Sequence, residues 1–172
     1  MLGGSMKTID IRRSVRRYEE TIIPNEKIDA MLRAAMQAPS AGNQQPWEFI
    51  VIRNGLILEE LSKVSPFAGL IANAPLAIVL ICNNDRLKKP DMWQQDMAAA
   101  TENILLEAVY QELGAVWIGV APLEDRMTHV SKTLNLSDPL VPFCILAVGV
   151  PSEGHNNKFI DRFDTSRISH ID

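Results

Sequence analysis

Two stretches of this chain hold residues whose types and spacing could do chemistry. Residues 38–47 read Ala-Pro-Ser-Ala-Gly-Asn-Gln-Gln-Pro-Trp. Ser40, Asn43 and Gln45 can each donate and accept hydrogen bonds, and no charged residue interrupts them. Such a stretch suits a neutral, hydrogen-bonding ligand surface. Pro39 stops whatever helix precedes it, because it lacks an N–H and clashes one turn back. Pro46 is expected to hold Gln45 extended and to aim the chain into a strand. Pro, Gly, Ser and Asn also dominate ordinary connections for conformational reasons, so a plain helix-to-strand loop has the same composition. The second stretch is Arg12-Arg13-Ser14-Val15-Arg16-Arg17, with four arginines in six residues. It can be a solvated basic face, a nucleic-acid contact or a phosphate site. Guanidinium forks match phosphate oxygens, and Ser14 adds a hydroxyl. A formal net charge of -4 argues against general nucleic-acid binding.

Other chemistries lack their residues. There is no G-x-S-x-G and no G-x-x-x-x-G-K-[ST], so a serine hydrolase of that type and a P-loop enzyme are disfavoured. His129, His155 and His170 have no metal-ligand spacing with each other or with a cysteine, and no metal is expected. A G-x-G-x-x-G fingerprint is also missing. An enzyme built this way would take its chemistry from a cofactor.

The elements that must position the two stretches follow from periodicity. Thr8 can cap a short helix over 9–14. Pro24 and Asn25 open a helix whose Ile28, Met31, Leu32, Ala35 and Met36 form one apolar stripe. Residues 48–53 read as a strand, 56–64 as a modest helix, and 66–73 have no clear assignment. The continuous apolar run 76–82 predicts a strand buried on both faces. A long helix is expected over 92–113, with Asp91 as its cap and Gly114 past its end. Its apolar residues occupy most of the circumference, which predicts burial in a core or, in a chain this small, an oligomer interface. Residues 115–120 give a third strand, where Gly119 suggests close backbone approach by another group. A helix over 123–134 and a strand over 141–148 complete the pattern. From Ser152 onward the sequence is polar and aperiodic, running over a surface or onto a partner.

Interleaved strands and helices make the class mixed α and β around one sheet. A length of 172 residues and 47% apolar content fit a single domain, 1–172, with a real core. No 18-residue apolar run is present, so no membrane span is expected. Neither is a secretory signal, and a cytoplasmic protein with Cys82 and Cys144 as buried free thiols is expected. Met1–Ser5 is expected to be a cloning remnant, with Met6 as the natural start.

The first stretch resembles the A-P-S-x-x-N-x-Q-P-W signature of the FMN-dependent nitroreductase family, matched at Ala38, Pro39, Ser40, Asn43, Gln45, Pro46 and Trp47. An Arg-Arg-Ser-x-Arg motif matches upstream at Arg12, Arg13, Ser14 and Arg16. The likeness runs from Arg12 to about Ile168. It implies an α+β fold with a central, mostly antiparallel sheet flanked by helices. It also implies an intertwined homodimer, in which the tail 152–172 crosses to the partner and extends its sheet. It places Arg12, Arg13, Ser14 and Arg16 at the FMN phosphate and ring edge, where positive charge would meet developing negative charge. Pro39, Ser40, Asn43 and Gln45 would reach the flavin, in the partner's site. Ile118 and Gly119 match a strand end that approaches the ring. Lys158 and Arg162 resemble the basic residues that finish the phosphate site, with solvated surface charge as the competing reading. The implied reaction is two-step hydride transfer, from NAD(P)H to FMN and on to a nitroaromatic, quinone or similar small acceptor. Proximity and stacking do most of that work, so no protein acid or base is required. The same fold could instead hold flavin without turnover. Flavin-fragmenting and dehalogenating relatives carry lid segments for which this short chain leaves little room.

Overall fold

A computed structural model describes residues 7–171; the expected remnant at Met1–Ser5 lies outside them. In chain order the elements are α1 (Lys7–Ile11), α2 (Asn25–Met36), β1 (Trp47–Ile52), α3 (Gly55–Leu61), β2 (Leu76–Asn83), α4 (Trp93–Tyr110), β3 (Gly114–Gly119), α5 (Glu124–Leu134) and β4 (Leu140–Gly149). The four strands form one sheet in the order β1-β2-β4-β3, every neighbouring pair antiparallel.

β2 is central and its apolar run is covered on both sides, as its sequence predicts. Leu76, Ile78 and Leu80 point into a core shared with Met31 and Ala35 of α2 and Met97, Ala100, Ile104 and Ala108 of α4. Ala77, Val79 and Ile81 point the other way, onto Leu58 and Leu61 of α3 and Val130 of α5. α4 therefore meets the sheet on one side and α2 on another, which accounts for most of its apolar circumference within one chain. Its remaining stripe, with Ala99, Glu102 and Leu106, is half-buried, and Tyr110 at its end is exposed.

Several local expectations are corrected. α1 ends at Ile11 rather than Ser14, because the chain from Arg12 is drawn out along β3. α4 stops at Tyr110, and Asp91 is not its cap: Pro90–Met92 form a 3₁₀ turn leading into it, and no side chain caps its first N–H groups. The unassigned stretch contains a 3₁₀ turn at Gly69–Asn73. Gln45 is not extended but left-handed, at φ 47°, because its N–H is held by the Ser40 Oγ at 3.0 Å.

Two glycines fix the N-terminal segment to the sheet. A Cβ on Gly114 would lie 2.6 Å from the Val15 Cβ, and one on Gly149 would lie 2.8 Å from the Tyr18 Cβ. At Gly119, where sequence predicts a close approach, no heavy atom of the described residues, its two chain neighbours aside, lies within 4 Å of such a Cβ.

Candidate functional site

The arginine motif leaves α1 and runs along the start of β3. The Val15 N–H donates to Ala115 O at 3.0 Å, and Ser14 pairs with Ala115 as a parallel bridge. Val15 is buried against Gly114. Tyr18 packs on Gly149, and its hydroxyl lies 2.6 Å from Val15 O and 2.9 Å from Ala147 O. These contacts anchor the middle of the motif and the residue after it, and Ser14 and Arg16 on either side of Val15 are exposed.

Arg12 Nε lies 3.1 Å from Glu102 Oε1 on α4. Burial pushes the Glu102 carboxyl up and the Arg12 charge pulls it back. The Arg13 N–H donates to Asn157 Oδ1, whose Nδ2 donates to Leu113 O, both at 3.0 Å. The Arg13 guanidinium donates to Arg12 O and, at 3.4 Å, to Ile160 O. Its Nε–H is shut away from solvent with no acceptor among the described residues. Burial, then the neighbouring charge of Arg162, then that of Arg12, lower the Arg13 pKa. The structure thus gathers Arg12, Arg13 and Arg162 from the two ends of the chain. Lys158 is exposed. Arg16 donates to Ser14 O at 3.2 Å and lines a separate cleft of about 380 Å³ with Arg17, Tyr18, Leu70, Asn73 and Ser152.

The 39–45 loop is compact. Ala41–Asn43 form a 3₁₀ turn, and Gly42, Asn43 and Gln45 have φ of 59°, 52° and 47°, a concentration of left-handed backbone that non-glycine residues resist. Gln45 Nε2 donates to Asn43 Oδ1 at 3.0 Å. The loop sits on the start of α4: the Ala41 N–H donates to Asp96 Oδ1 at 2.9 Å, and Gln44 Nε2 donates to Asp96 Oδ2 at 2.6 Å. Pro39, Ser40 and Ala41 border a cleft of about 350 Å³ with Met92, Gln95, Asp96 and Ala99. The Ser40 O–H and the Asn43 Nδ2 have no acceptor among the described residues.

At the far end of β3, Ile118 is buried on the α3/α5 side of the sheet. Gly119 presents bare backbone, with its carbonyl taken by Arg126 Nη1 at 2.8 Å. Beyond the last β3–β4 pair, Gly119 with Cys144, the Phe143 carbonyl accepts from Val120 at 3.2 Å and Ala121 at 2.9 Å. Trp93 and Trp117 flank the Phe143 ring edge-on, at 5.8 and 5.6 Å.

Among the described residues no hydrogen bond or ion pair joins the 39–45 loop to the arginine motif. Both touch α4, at Asp96 and Glu102 respectively, six residues or about 9 Å apart along the helix. Sequence reasoning missed Gln44, Asp96, Asn157 and Asn73. Asp96 did leave a signal, a lone acid one turn before Ala100 on the apolar stripe of α4.

The profile of the Nitroreductase family matches residues 9–65 and 66–150, and the chain belongs to that family. A protein of Archaeoglobus fulgidus, provisionally named NADH dehydrogenase/NAD(P)H nitroreductase, is 43% identical over 166 residues, which cover 95% of each chain. A crystal structure from Clostridium acetobutylicum, provisionally named an NADH oxidase, superposes with a TM-score of 0.92 at 52% identity and covers 95% of this chain and 98% of that one. A Desulfovibrio desulfuricans nitroreductase in complex with FMN superposes with a TM-score of 0.82 at 26% identity, covering 96% and 95%.

Proposed function

We propose that this protein is an FMN-dependent oxidoreductase that draws on NAD(P)H to reduce small acceptors such as nitroaromatics or quinones, working in the cytoplasm as a homodimer. The observation that carries the reading is the convergence of Arg12, Arg13 and Arg162 around an Arg13 Nε–H without an acceptor. Of the three, Arg12 is ion-paired with Glu102. A phosphate dianion would supply an acceptor for that N–H and negative charge for the cluster. Bound FMN would supply the hydride chemistry, and the chain would bind and orient it. Arg12, Arg13, Arg162 and the Ser14 hydroxyl would take the phosphate. Arg16, with Asn73 across its cleft, would set positive charge and an amide at the ring edge. Ser40 and Asn43 would donate from the 39–45 loop of the other subunit, beside Pro39 and Gln45. The bare backbone at Gly119, next to Ile118, leaves room for a flat group. Lys158, two residues before Ile160, would add a further cation to the phosphate site. The free thiols Cys82 and Cys144 fit a reducing compartment.

The test is the absorbance of purified protein between roughly 350 and 500 nm, where bound flavin absorbs, followed by identification of the released cofactor and anaerobic addition of NADH or NADPH. A two-band spectrum, released FMN and bleaching by either nicotinamide are expected. Colourless protein that FMN cannot reconstitute would refute the assignment, and flavin that NAD(P)H does not bleach would mark a flavin holder without turnover.

A further inference from the structure

We propose that Asp96 and Gln44 are positioning residues, a buried hydrogen-bonded pair that holds the 39–45 loop in its cofactor-binding shape and ties it to the loop before α4. The inference rests on the FMN reading above. Among the described residues three polar side chains are buried: Gln44, Asp96 and Thr101. Thr101 is satisfied by Met97 O on its own helix. The other two meet each other at 2.6 Å.

Every hydrogen-bonding position of Gln44 is used. Its Nε2 donates to Asp96 Oδ2 and, at 3.2 Å, to Lys89 O. Its Oε1 accepts the Lys88 and Lys89 N–H groups at 2.9 and 2.8 Å. Asp96 spends its second oxygen on the Ala41 N–H, next to the left-handed Gly42 and Asn43. The carboxylate lies in the first turn of α4, where the helix dipole favours negative charge. Backbone strained in this way persists only where surrounding bonds over-determine it, and at Ala41 that bond comes from Asp96. Ser40 and Asn43, whose free donors face the proposed cofactor, flank the anchored residue.

The pair is also keyed. An asparagine at position 96 must turn its amide group toward either the Ala41 N–H or the Gln44 Nε2–H, so a donor faces a donor. Flipping Gln44 moves the conflict onto the Lys88 and Lys89 N–H groups. A glutamate at position 44 without a proton sets carboxylate against carboxylate. Exchanging both restores the pattern. The amide then at position 96 accepts from the Ala41 N–H and donates to the carboxylate at position 44. That carboxylate still accepts from Lys88 and Lys89; its other oxygen turns the 3.2 Å hydrogen bond to Lys89 O into an acceptor–acceptor contact, the one position the exchange leaves unmatched.

The experiment titrates full-length apoprotein with FMN for wild type, Asp96→Asn, Gln44→Glu and the double variant, and records each apoprotein's thermal midpoint. It also measures hydrogen exchange at the Ala41, Lys88 and Lys89 amides. Each single change is expected to weaken FMN about tenfold or more and to speed exchange at all three amides, since an unsatisfied buried group loses its full hydrogen-bonding compensation. The double variant is expected to return to within about threefold of wild type, the non-additivity of a coupled pair. Singles that lower the thermal midpoint but bind FMN like wild type would show a merely structural pair and overturn the proposal. A double variant that regains its midpoint without regaining FMN affinity would overturn it too. Where Asp96→Asn does not fold, Gln44→Glu and the double variant carry the same comparison. Wild type that binds no FMN refutes the functional reading itself, and the positioning role falls with it.

Discussion

Arg12 and Arg16 belong to one motif but stand in different surroundings, and their variants should separate accordingly. Either change to alanine is expected to weaken FMN by about 1.5–3 kcal/mol, the range for hydrogen bonds to charged groups, read by titration of the apoprotein. Arg12→Ala also leaves Glu102 without its ion pair, so it should lower the thermal midpoint as well. Arg16, exposed and bonded among the described residues only to Ser14 O, should lose cofactor affinity alone. Full flavin occupancy in both variants at limiting FMN would make the cluster surface charge. A second prediction at this scale concerns the thiols. Burial pushes Cys144 up to about 12 and, with Asp96 contributing, Cys82 up to about 11, from 9.0. Both folded values are raised, so the folded state holds these protons more tightly than the unfolded chain. Their stabilising contribution is complete below pH 9 and disappears as pH climbs through 11 to 12. Urea midpoints should therefore fall steeply above about pH 9, and Cys144→Ala should flatten that fall. A midpoint independent of pH from about 8 to 11 would contradict the burial of these thiols.

Among the elements, the segment that carries the arginines is placed by glycines that lie elsewhere. Gly114→Ala would drive a methyl into the Val15 side chain, and Gly149→Ala into the Tyr18 ring where it joins its Cβ. Neither neighbour is the free end of a flexible chain. Each change is expected to cost about 1–3 kcal/mol, as overpacking does, and to weaken FMN with it, because the motif moves. Gly119→Ala meets no atom of the described residues beyond its chain neighbours, so it should leave the apoprotein's stability nearly unchanged and affect only the cofactor. These contrasts also mark the limit of what sequence could tell. The four strands lie within about a residue of their apolar runs, because burial on a sheet face leaves its period in the sequence. The two motifs stood out by residue type. Gly114 read only as a helix stop and Gly149 only as a strand end, since what they touch lies about 100 and 130 residues away. Gln45 was misjudged because a local rule for residues before proline was overridden by the Ser40 hydroxyl. Gln44 and Asp96 went unseen because a glutamine in a loop and an aspartate in a helix carry no sign of being paired.

The whole molecule leaves two surfaces that a single chain does not use. β1 pairs only with β2 among the described residues, so one edge of the sheet has open hydrogen-bonding groups, which proteins ordinarily cover. The tail carries Phe159, Ile160, Phe163, Ile168 and Ile171 in exposed positions, Ile171 at 99%. Grouped exposed apolar residues mark an interaction surface. The start of the tail, however, stays at home: the Ser152 N–H donates to Arg17 O, and Asn157 bridges Arg13 and Leu113. These contacts, and Arg162 beside Arg13, leave the residues beyond Arg162 to make the proposed crossing to a second subunit. The informative truncation ends the chain after Ile160, which keeps the Asn157 bridge. Obligate interfaces bury upwards of roughly 2,000 Å², and a cofactor bound only by the dimer stabilises it by mass action. Full-length protein should sediment as a dimer at micromolar concentration, and the truncated chain should lose dimer and FMN together. Removing the tail also removes Arg162, so full-length Arg162→Ala is the control: it should weaken FMN yet remain dimeric. A truncated monomer that binds FMN as tightly as the full chain would place the site within one subunit and refute the shared-site assembly.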